Sequence, residues 1–324
     1  MSEPVILRPN AEGSVASLGM TRKKLKRGVL IYNPTAGQRD LAAQMLTLIE
    51  RMRAEGLELE NAPTTAPGHA TEIVRALLPC GLDVVAVCGG DGTISEVAGG
   101  LVGSDVPLGV LPGGTSNVLA RELSIPLALE PAARLLLDGE PRPVRVLYAN
   151  ERPFLLWAGV GLDARIMGHM SLFLKRWFGR TGIFFTVAPE FFRYEFPHLE
   201  VTVDDETYEA TFAVVSHARR YGGDWVIAPH ARLDSDEMEV VLFSERNRWR
   251  FFSLFRQIQV GRSGHIESGL ARCIRGRTAT IRSLESYPVE VQLDGDCVLE
   301  TPVTCRVGKE SISILAPRNG SPRT

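Results

Sequence analysis

Apolar positions along the chain fall into short runs that alternate with stripes at helical spacing. Gly28–Tyr32, Leu57–Glu60, Val84–Val87 and Leu108–Leu111 read as strands, and the β-branched run at 84–87 has the character of a strand buried on both faces. Between them, Leu41, Met45, Leu48, Ile49 and Met52 predict a helix over 39–54. A second helix runs from the loop Thr64–His69 to about Leu78. Ile94, Val97, Ala98 and Leu101 mark a third, and Val118, Leu119, Ala120 and Leu123 a fourth. Repeated strand–loop–helix units imply a parallel sheet with right-handed crossovers. Each polar loop then follows the carboxyl end of a strand, so the loops should meet in one crevice.

The pattern changes near Glu140–Pro143. Beyond it lie strand-like runs without regular helices: Val144–Tyr148, Phe154–Gly159, Leu199–Val203, Tyr208–Ser216, Glu239–Phe243, Ala279–Ile281 and Val289–Leu293. Two segments interrupt them, 169–196 and about 248–261. The fold class expected is α/β, with an N-terminal Rossmann-like parallel-sheet domain and a C-terminal β-rich, sandwich-like domain. The expected division is a tail over 1–26, an α/β domain over 27–142, a β-rich domain over 143–308, a strand at 309–317 returning to the first domain, and a tail over 318–324.

Composition narrows the class. The 324 residues carry a net charge of −2, which offers no basic field for nucleic acid. Five scattered cysteines without a Cys-x-x-Cys pair point to reduced, buried thiols and a cytoplasmic setting. The N-terminus lacks the apolar core of a signal peptide, and no run reaches the length of a membrane span. Arg22, Lys23, Lys24, Lys26 and Arg27 read either as a solvated lead-in or as a contact for anionic lipid. Segment 173–196 holds nine of the 23 Phe, Trp and Tyr residues, Phe173 to Phe196, interleaved with Lys175, Arg176 and Arg180. It reads either as a lipid-headgroup interface or the mouth of a lipid pocket, or as a core helix pair with its cations in water.

The chemistry concentrates in the turns. Gly89-Gly90-Asp91-Gly92-Thr93 follows the buried strand and opens a helix, where free N–H groups and the helix dipole favour phosphate. It is neither a Walker loop nor a dinucleotide fingerprint. A tight turn explains its glycines but not Asp91, an acid placed to hold Mg²⁺ or to take a proton from an attacking hydroxyl. Gly113-Gly114-Thr115-Ser116-Asn117 fits both phosphate contact and helix capping by Thr115 or Ser116. Asn33–Gly37 gains weight from its place after the first strand.

Asn33-Pro34-x-Ala36-Gly37, Gly89–Thr93, Pro112-x-Gly114-Thr115-x-Asn117, Gly161-Leu162-Asp163-Ala164, Tyr221-Gly222-Gly223 and Leu293-Asp294-Gly295 occur in that order. The set, spanning roughly 27–317, resembles the soluble diacylglycerol kinase catalytic family, which includes bacterial lipid kinases and is related to sphingosine, ceramide and, more distantly, NAD kinases. The resemblance implies an ATP site between the domains. Asn33 and Thr64 would contact the nucleotide, and Gly89, Gly90, Gly92 and Thr93 would surround its phosphates. Gly114, Thr115 and Asn117 would complete that side. Asp91 would serve near the transferred phosphoryl as catalytic acid and Mg²⁺ partner, and Asp163 would lie near the acceptor headgroup or in the acidic network.

Four positions depart from the family pattern. Val118 stands where an acid is common, Asp296 replaces a Glu, Asp224 replaces a third glycine, and Ser235-Asp236 stands for Asp-Gly. Asp296, as the base, has an arm one methylene shorter. The expected activity is ATP- and Mg²⁺-dependent phosphorylation of a hydroxyl on a diacylglycerol-like or sphingoid lipid. Transient membrane-surface contact, no nucleic-acid partner and scope for a homodimer go with it. The rival readings are a kinase of a soluble acceptor and a weakly active nucleotide- or lipid-binding regulator.

Overall fold

The structure is a computed structural model that describes residues 25–34, 41–169, 193–246, 266 and 269–318. Four strands, β1 (Arg27–Tyr32), β2 (Glu58–Pro63), β3 (Val84–Gly89) and β4 (Leu108–Pro112), pair in parallel in the order β2-β1-β3-β4. Helices α1 (Leu41–Ala54), α2 (His69–Leu77), α3 (Asp91–Leu101) and α4 (Val118–Glu122) connect or follow them. A further helix, α5 (Leu129–Asp138), escapes the pattern reading because Pro131 interrupts it. Proline is tolerated there, since it falls in the first turn where no N–H partner is needed. Leu136 of α5 packs where a Cβ on Gly109 would lie, only 2.1 Å from its Cδ2. Gly109 is therefore what lets the helix close on β4.

The second half follows with β5 (Glu140–Ala149), β6 (Arg152–Phe154), β7 (Trp157–Val160), α6 (Leu162–His169), β8 (Leu199–Val203), β9 (Glu206–Ala210) and β10 (Phe212–Ser216). The short pair β11 (Arg220–Tyr221) and β12 (Trp225–Val226) precedes β13 (Met238–Phe243) and β14 (Ala271–Gly276). The chain ends on β15 (Thr278–Ser283), β16 (Glu290–Leu293), β17 (Asp296–Glu300) and β18 (Val303–Ala316). One antiparallel sheet runs β14-β13-β10-β7-β16-β17. The other continues the parallel sheet: β2-β1-β3-β4-β18-β15-β8-β9, with β5 on β18 and β6 on β5.

The two sheets face each other across an apolar layer. Ala213 and Val215 of β10 and Val240 and Leu242 of β13 meet Ile281 of β15 and Val303 of β18. The alternate residues, Val214, Val241 and Phe243, belong instead to the cluster that contains the core of the parallel sheet. Strand alternation thus serves two cores at once.

Three expectations change here. The runs Phe154–Gly159 and Tyr208–Ser216 each split into two strands, at Leu155-Leu156 and at Thr211, because the chain crosses there from one sheet to the other. Leu155 and Leu156 are apolar and buried, so no polar residue marks the first crossing; the second falls at the buried Thr211. Glu140–Pro143, expected to separate the domains, lies inside β5 and pairs with the far end of β18. The Arg145 N–H leaves that ladder for the Leu233 carbonyl, so Pro143 and Pro141, two and four residues earlier, also face away from β18. Their missing N–H groups cost no sheet bond. Finally, the expected return strand is the end of a longer one: β18 pairs antiparallel with β15 over Val303–Arg306 and parallel with β4 at Ile314 and Leu315, with a register shift against β5 between Val307 and Ser311.

The thiols form no disulfide. Cys88 and Cys305 are buried as expected, but Cys80 and Cys297 are exposed. Of the aromatic segment, residues 173–192 lie outside the described residues. Tyr194 and Phe196 are buried edge to face, 5.1 Å apart. Segment 248–261, the lysine–arginine cluster through Lys24 and Thr35–Gly37 also lie outside the described residues, and among these no helix is long and apolar enough to cross a membrane.

Candidate active site

Register places Pro63, Tyr32, Cys88 and Leu111 in one row across the parallel sheet. The residues that follow, Thr64, Asn33, Gly89 and Pro112, therefore form the carboxyl edge. The Thr64 N–H donates to the Tyr32 carbonyl (2.8 Å), which holds the β2 exit beside Asn33. The sheet order reverses direction between β1 and β3, and in such sheets the crevice opens there.

The glycine turn is shorter than the sequence implies. Gly90, in extended conformation, is the whole of it, and Asp91 already begins α3. The Ile94 N–H is the first to close on Gly90, which leaves the N–H groups of Asp91, Gly92 and Thr93 without a bond inside the helix. The second loop abuts the first, backbone on backbone. The Gly113 N–H donates to the Gly89 carbonyl (2.9 Å), and a Cβ on Gly114 would sit 2.5 Å from the Gly90 Cα. A Cβ on Gly89 would meet Thr93 at 2.8 Å. Glycine here allows close approach.

Asp91 ties these loops together. Its Oδ2 accepts the Val118 N–H (3.0 Å) and its Oδ1 the Leu119 N–H (3.1 Å), so it caps the start of α4 across 27 residues. Burial pushes its pKa up, against these two bonds. Asn117, left-handed at φ 48°, turns its amide back on its own loop. Its Oδ1 accepts the Gly114 N–H and its Nδ2 donates to the Gly114 carbonyl, both at 2.8 Å. Its side chain thus shapes the loop. Thr115 is exposed at the loop tip. Neither Thr115 nor Ser116 caps α4, which has no side-chain N-cap of its own.

The second half supplies acids from above. Asp296 opens β17, and its Oδ2 lies 3.0 Å from where a Cβ on Gly92 would be. The turn before it is held by Asp294, which the motif contains but whose role cannot be read from it. This buried carboxylate accepts the N–H groups of Leu155 (2.8 Å), Leu156 (2.8 Å) and Trp157 (3.0 Å) and the Ser95 hydroxyl (2.6 Å). Ser95 belongs to α3, so Asp294 fastens the second half to the glycine helix. Burial raises its pKa against those four donors.

Asp163, in the first turn of α6, accepts the Tyr221 hydroxyl at Oδ1 and the Gln292 Nε2 at Oδ2 (2.7 Å). Burial holds its carboxyl up at about 6, while both hydrogen bonds pull it down. The Tyr221 ring packs on Trp157 at 5.0 Å, and burial with the Asp163 charge raises its phenol well above the usual range.

Two of the unusual acids have partners. Asp224 bonds Arg121 of α4 (2.6 Å), and next to this pair Glu122 accepts the Arg220 N–H (2.9 Å) and guanidinium (3.2 Å). Asp236 pairs with Arg145. Among the described residues, no three His, Cys, Asp or Glu side chains gather as a metal cage.

Comparison with known proteins agrees with this arrangement. Residues 27–149 match the model of the diacylglycerol kinase catalytic domain. Residues 158–316 match the YegS C-terminal NAD kinase beta sandwich-like domain. A diacylglycerol kinase of Mycobacterium tuberculosis is 25% identical over 311 residues, covering 93% of this chain and 98% of that protein. One of Bacillus subtilis is 26% identical over 277 residues, covering 84% and 90%. The crystal structure of a diacylglycerol kinase from Bacillus anthracis superposes with a TM-score of 0.71 at 23% identity, covering 93% of this chain and 100% of that one, a likeness of fold.

Proposed function

Because the chain belongs to the diacylglycerol kinase catalytic family, we propose that it transfers the γ-phosphoryl of ATP to a hydroxyl of a diacylglycerol-like or sphingoid lipid at a membrane surface. The observation that carries this reading is the meeting of two halves. A backbone cradle at the carboxyl edge of the parallel sheet faces an acid, Asp296, set over Gly92 from the other half. The cradle suits phosphate: its two loops meet backbone on backbone, close enough that a Cβ on Gly114 would overlap the Gly90 Cα, and the first-turn N–H groups of α3 make no bond within the helix. Asn33 and Thr64 flank it on the nucleotide side.

In this reading Asp296 takes the proton of the attacking lipid hydroxyl as its oxygen bonds to phosphorus and the bond to the departing ADP oxygen breaks. Asp91 keeps the two loops in register and adds negative charge beside the phosphates. Mg²⁺ would be held mainly by those phosphates with Asp91 or Asp296 as its protein contact, and would neutralise the transferred charge.

The test is incubation with radiolabelled ATP and a total lipid extract, with products identified by mass spectrometry. A labelled phospholipid is expected from the wild type and none from Asp91→Ala. Nucleotide binding without any labelled lipid would make the protein a regulator instead. Near-native turnover by Asp91→Ala would remove Asp91 from the mechanism.

A further inference from the structure

Gln292 lies on β16, fully buried, two residues before the turn that carries Asp296. Its amide works at both ends. Nε2 donates to Asp163 Oδ2 (2.7 Å), and Oε1 accepts the Gly295 N–H (2.7 Å). Only one amide orientation satisfies both, because a flip would set NH₂ against N–H and oxygen against carboxylate. Gly159 of β7 makes the space: a Cβ there would fall 2.0 Å from Asp163 Oδ2 and 2.8 Å from Gln292 Nε2. Asp163 is fixed in turn by Tyr221. On its other flank the turn hangs from the four bonds of Asp294. The chain from Tyr221 through Asp163 and Gln292 to Gly295 thus ends one residue short of Asp296.

We propose that Gln292 and Asp163 are positioning residues, a buried strut that sets Asp296 over Gly92, and that Asp163 does not itself touch the lipid headgroup. This rests on the reading of Asp296 as the base. Both oxygens of Asp163 are already engaged by side chains of its own domain, which suits a fixed support better than a ligand contact. The short arm of Asp296 makes the support more demanding, since a base misplaced by about an ångström can lose about 100-fold in rate.

Gln292→Met keeps the volume and removes both hydrogen bonds. In the wild-type background it is expected to lower kcat about 10- to 100-fold with KM for ATP changed less than about twofold, and in an Asp296→Ala background to lower it no more than about twofold further. Equal losses in both backgrounds overturn the role. Gln292→Glu guards against misfolding. Its protonated form can donate to Asp163 and accept from Gly295, and its ionised form cannot donate. It should show kcat within about threefold of wild type near pH 6 and a new alkaline limb by pH 8.5, a loss of about tenfold or more. A profile parallel to wild type counts against the strut. Amide exchange at Gly295 reads the same bond without turnover: about tenfold faster exchange in Gln292→Met is expected, and unchanged protection overturns it. A wild type that phosphorylates no lipid removes the reading of Asp296 and this role with it, whatever the exchange shows.

Discussion

At the scale of single residues, burial decides which ionisable groups matter. His217 is completely buried behind β10, with Asp234 and Arg145 as its charged surroundings, and burial pulls its pKa down to about 4. The folded state therefore keeps the ring neutral, whereas the unfolded chain protonates near 6.5. Its contribution is full above that value and is lost as pH falls towards 4, about 3 kcal/mol in all. Asp163, raised to about 6, acts in the opposite sense, favouring the folded state as pH falls through that value. Urea unfolding between pH 7.5 and 4.5 should show a smaller loss of stability for His217→Leu than for wild type. Equal slopes would mean that His217 is not the group responsible.

Residue-level legibility was uneven for a physical reason. Asp91 stands out because a carboxylate among glycines is conspicuous, but the N–H groups it holds are 27 and 28 positions away. The donors to Asp294 lie 137 to 199 positions away, and nothing local marks them. Asp224 looks like a defect in a glycine motif until Arg121 is seen beside it. Periodicity reports neighbours along an element and is silent about partners that folding supplies.

At the scale of elements, the two glycine loops differ in what they cannot accommodate. Gly114 faces backbone: an added Cβ would meet the Gly90 Cα at 2.5 Å, and neither chain can swing aside. Gly90 is roomier, with its nearest such contact at 3.4 Å and a φ of −86° that any residue adopts. Gly114→Ala is expected to cost about 1–3 kcal/mol of stability. Gly90→Ala should stay within about 0.5 kcal/mol of wild type yet weaken ATP binding about tenfold or more by filling the cradle. Urea midpoints and nucleotide titration separate the two. Wild-type ATP affinity in Gly90→Ala would place the phosphates elsewhere. The strands of the parallel sheet could be read from their apolar runs. α5 could not, because its proline reads as a breaker, and neither could the split at Leu155-Leu156, where the apolar run continues through the crossing; at Thr211 the change from an alternating to a continuously apolar, buried run is the signal that could have marked the split.

At the scale of the molecule, the domain pattern read from sequence captures composition rather than mechanics. The α/β half and the β-rich half are both present, but β4, β18 and β15 are neighbours in one sheet, and the same apolar cluster reaches from Val85 to Phe243. The halves should therefore unfold together. Ile314, buried where β18 meets β4, tests this: Ile314→Ala should cost about 2–5 kcal/mol and move a single calorimetric transition. Two separated transitions, with only the first displaced, would show that the halves fold independently.

The paired strands β5 and β18 also bear on how such proteins can be recombined. β5 is the last piece of the catalytic-domain match, and β18 is the last piece of the sandwich match. They nevertheless form one antiparallel ribbon, from Glu140 beside Ala316 to Ala149 beside Cys305. A chimera that exchanged the sandwich with a relative at residue 150 would place a foreign strand against the native β4 and β5 and break the ribbon that both halves inherit. The transferable cassette is residues 150–302, inserted between the arms of a hairpin that stays with the α/β half.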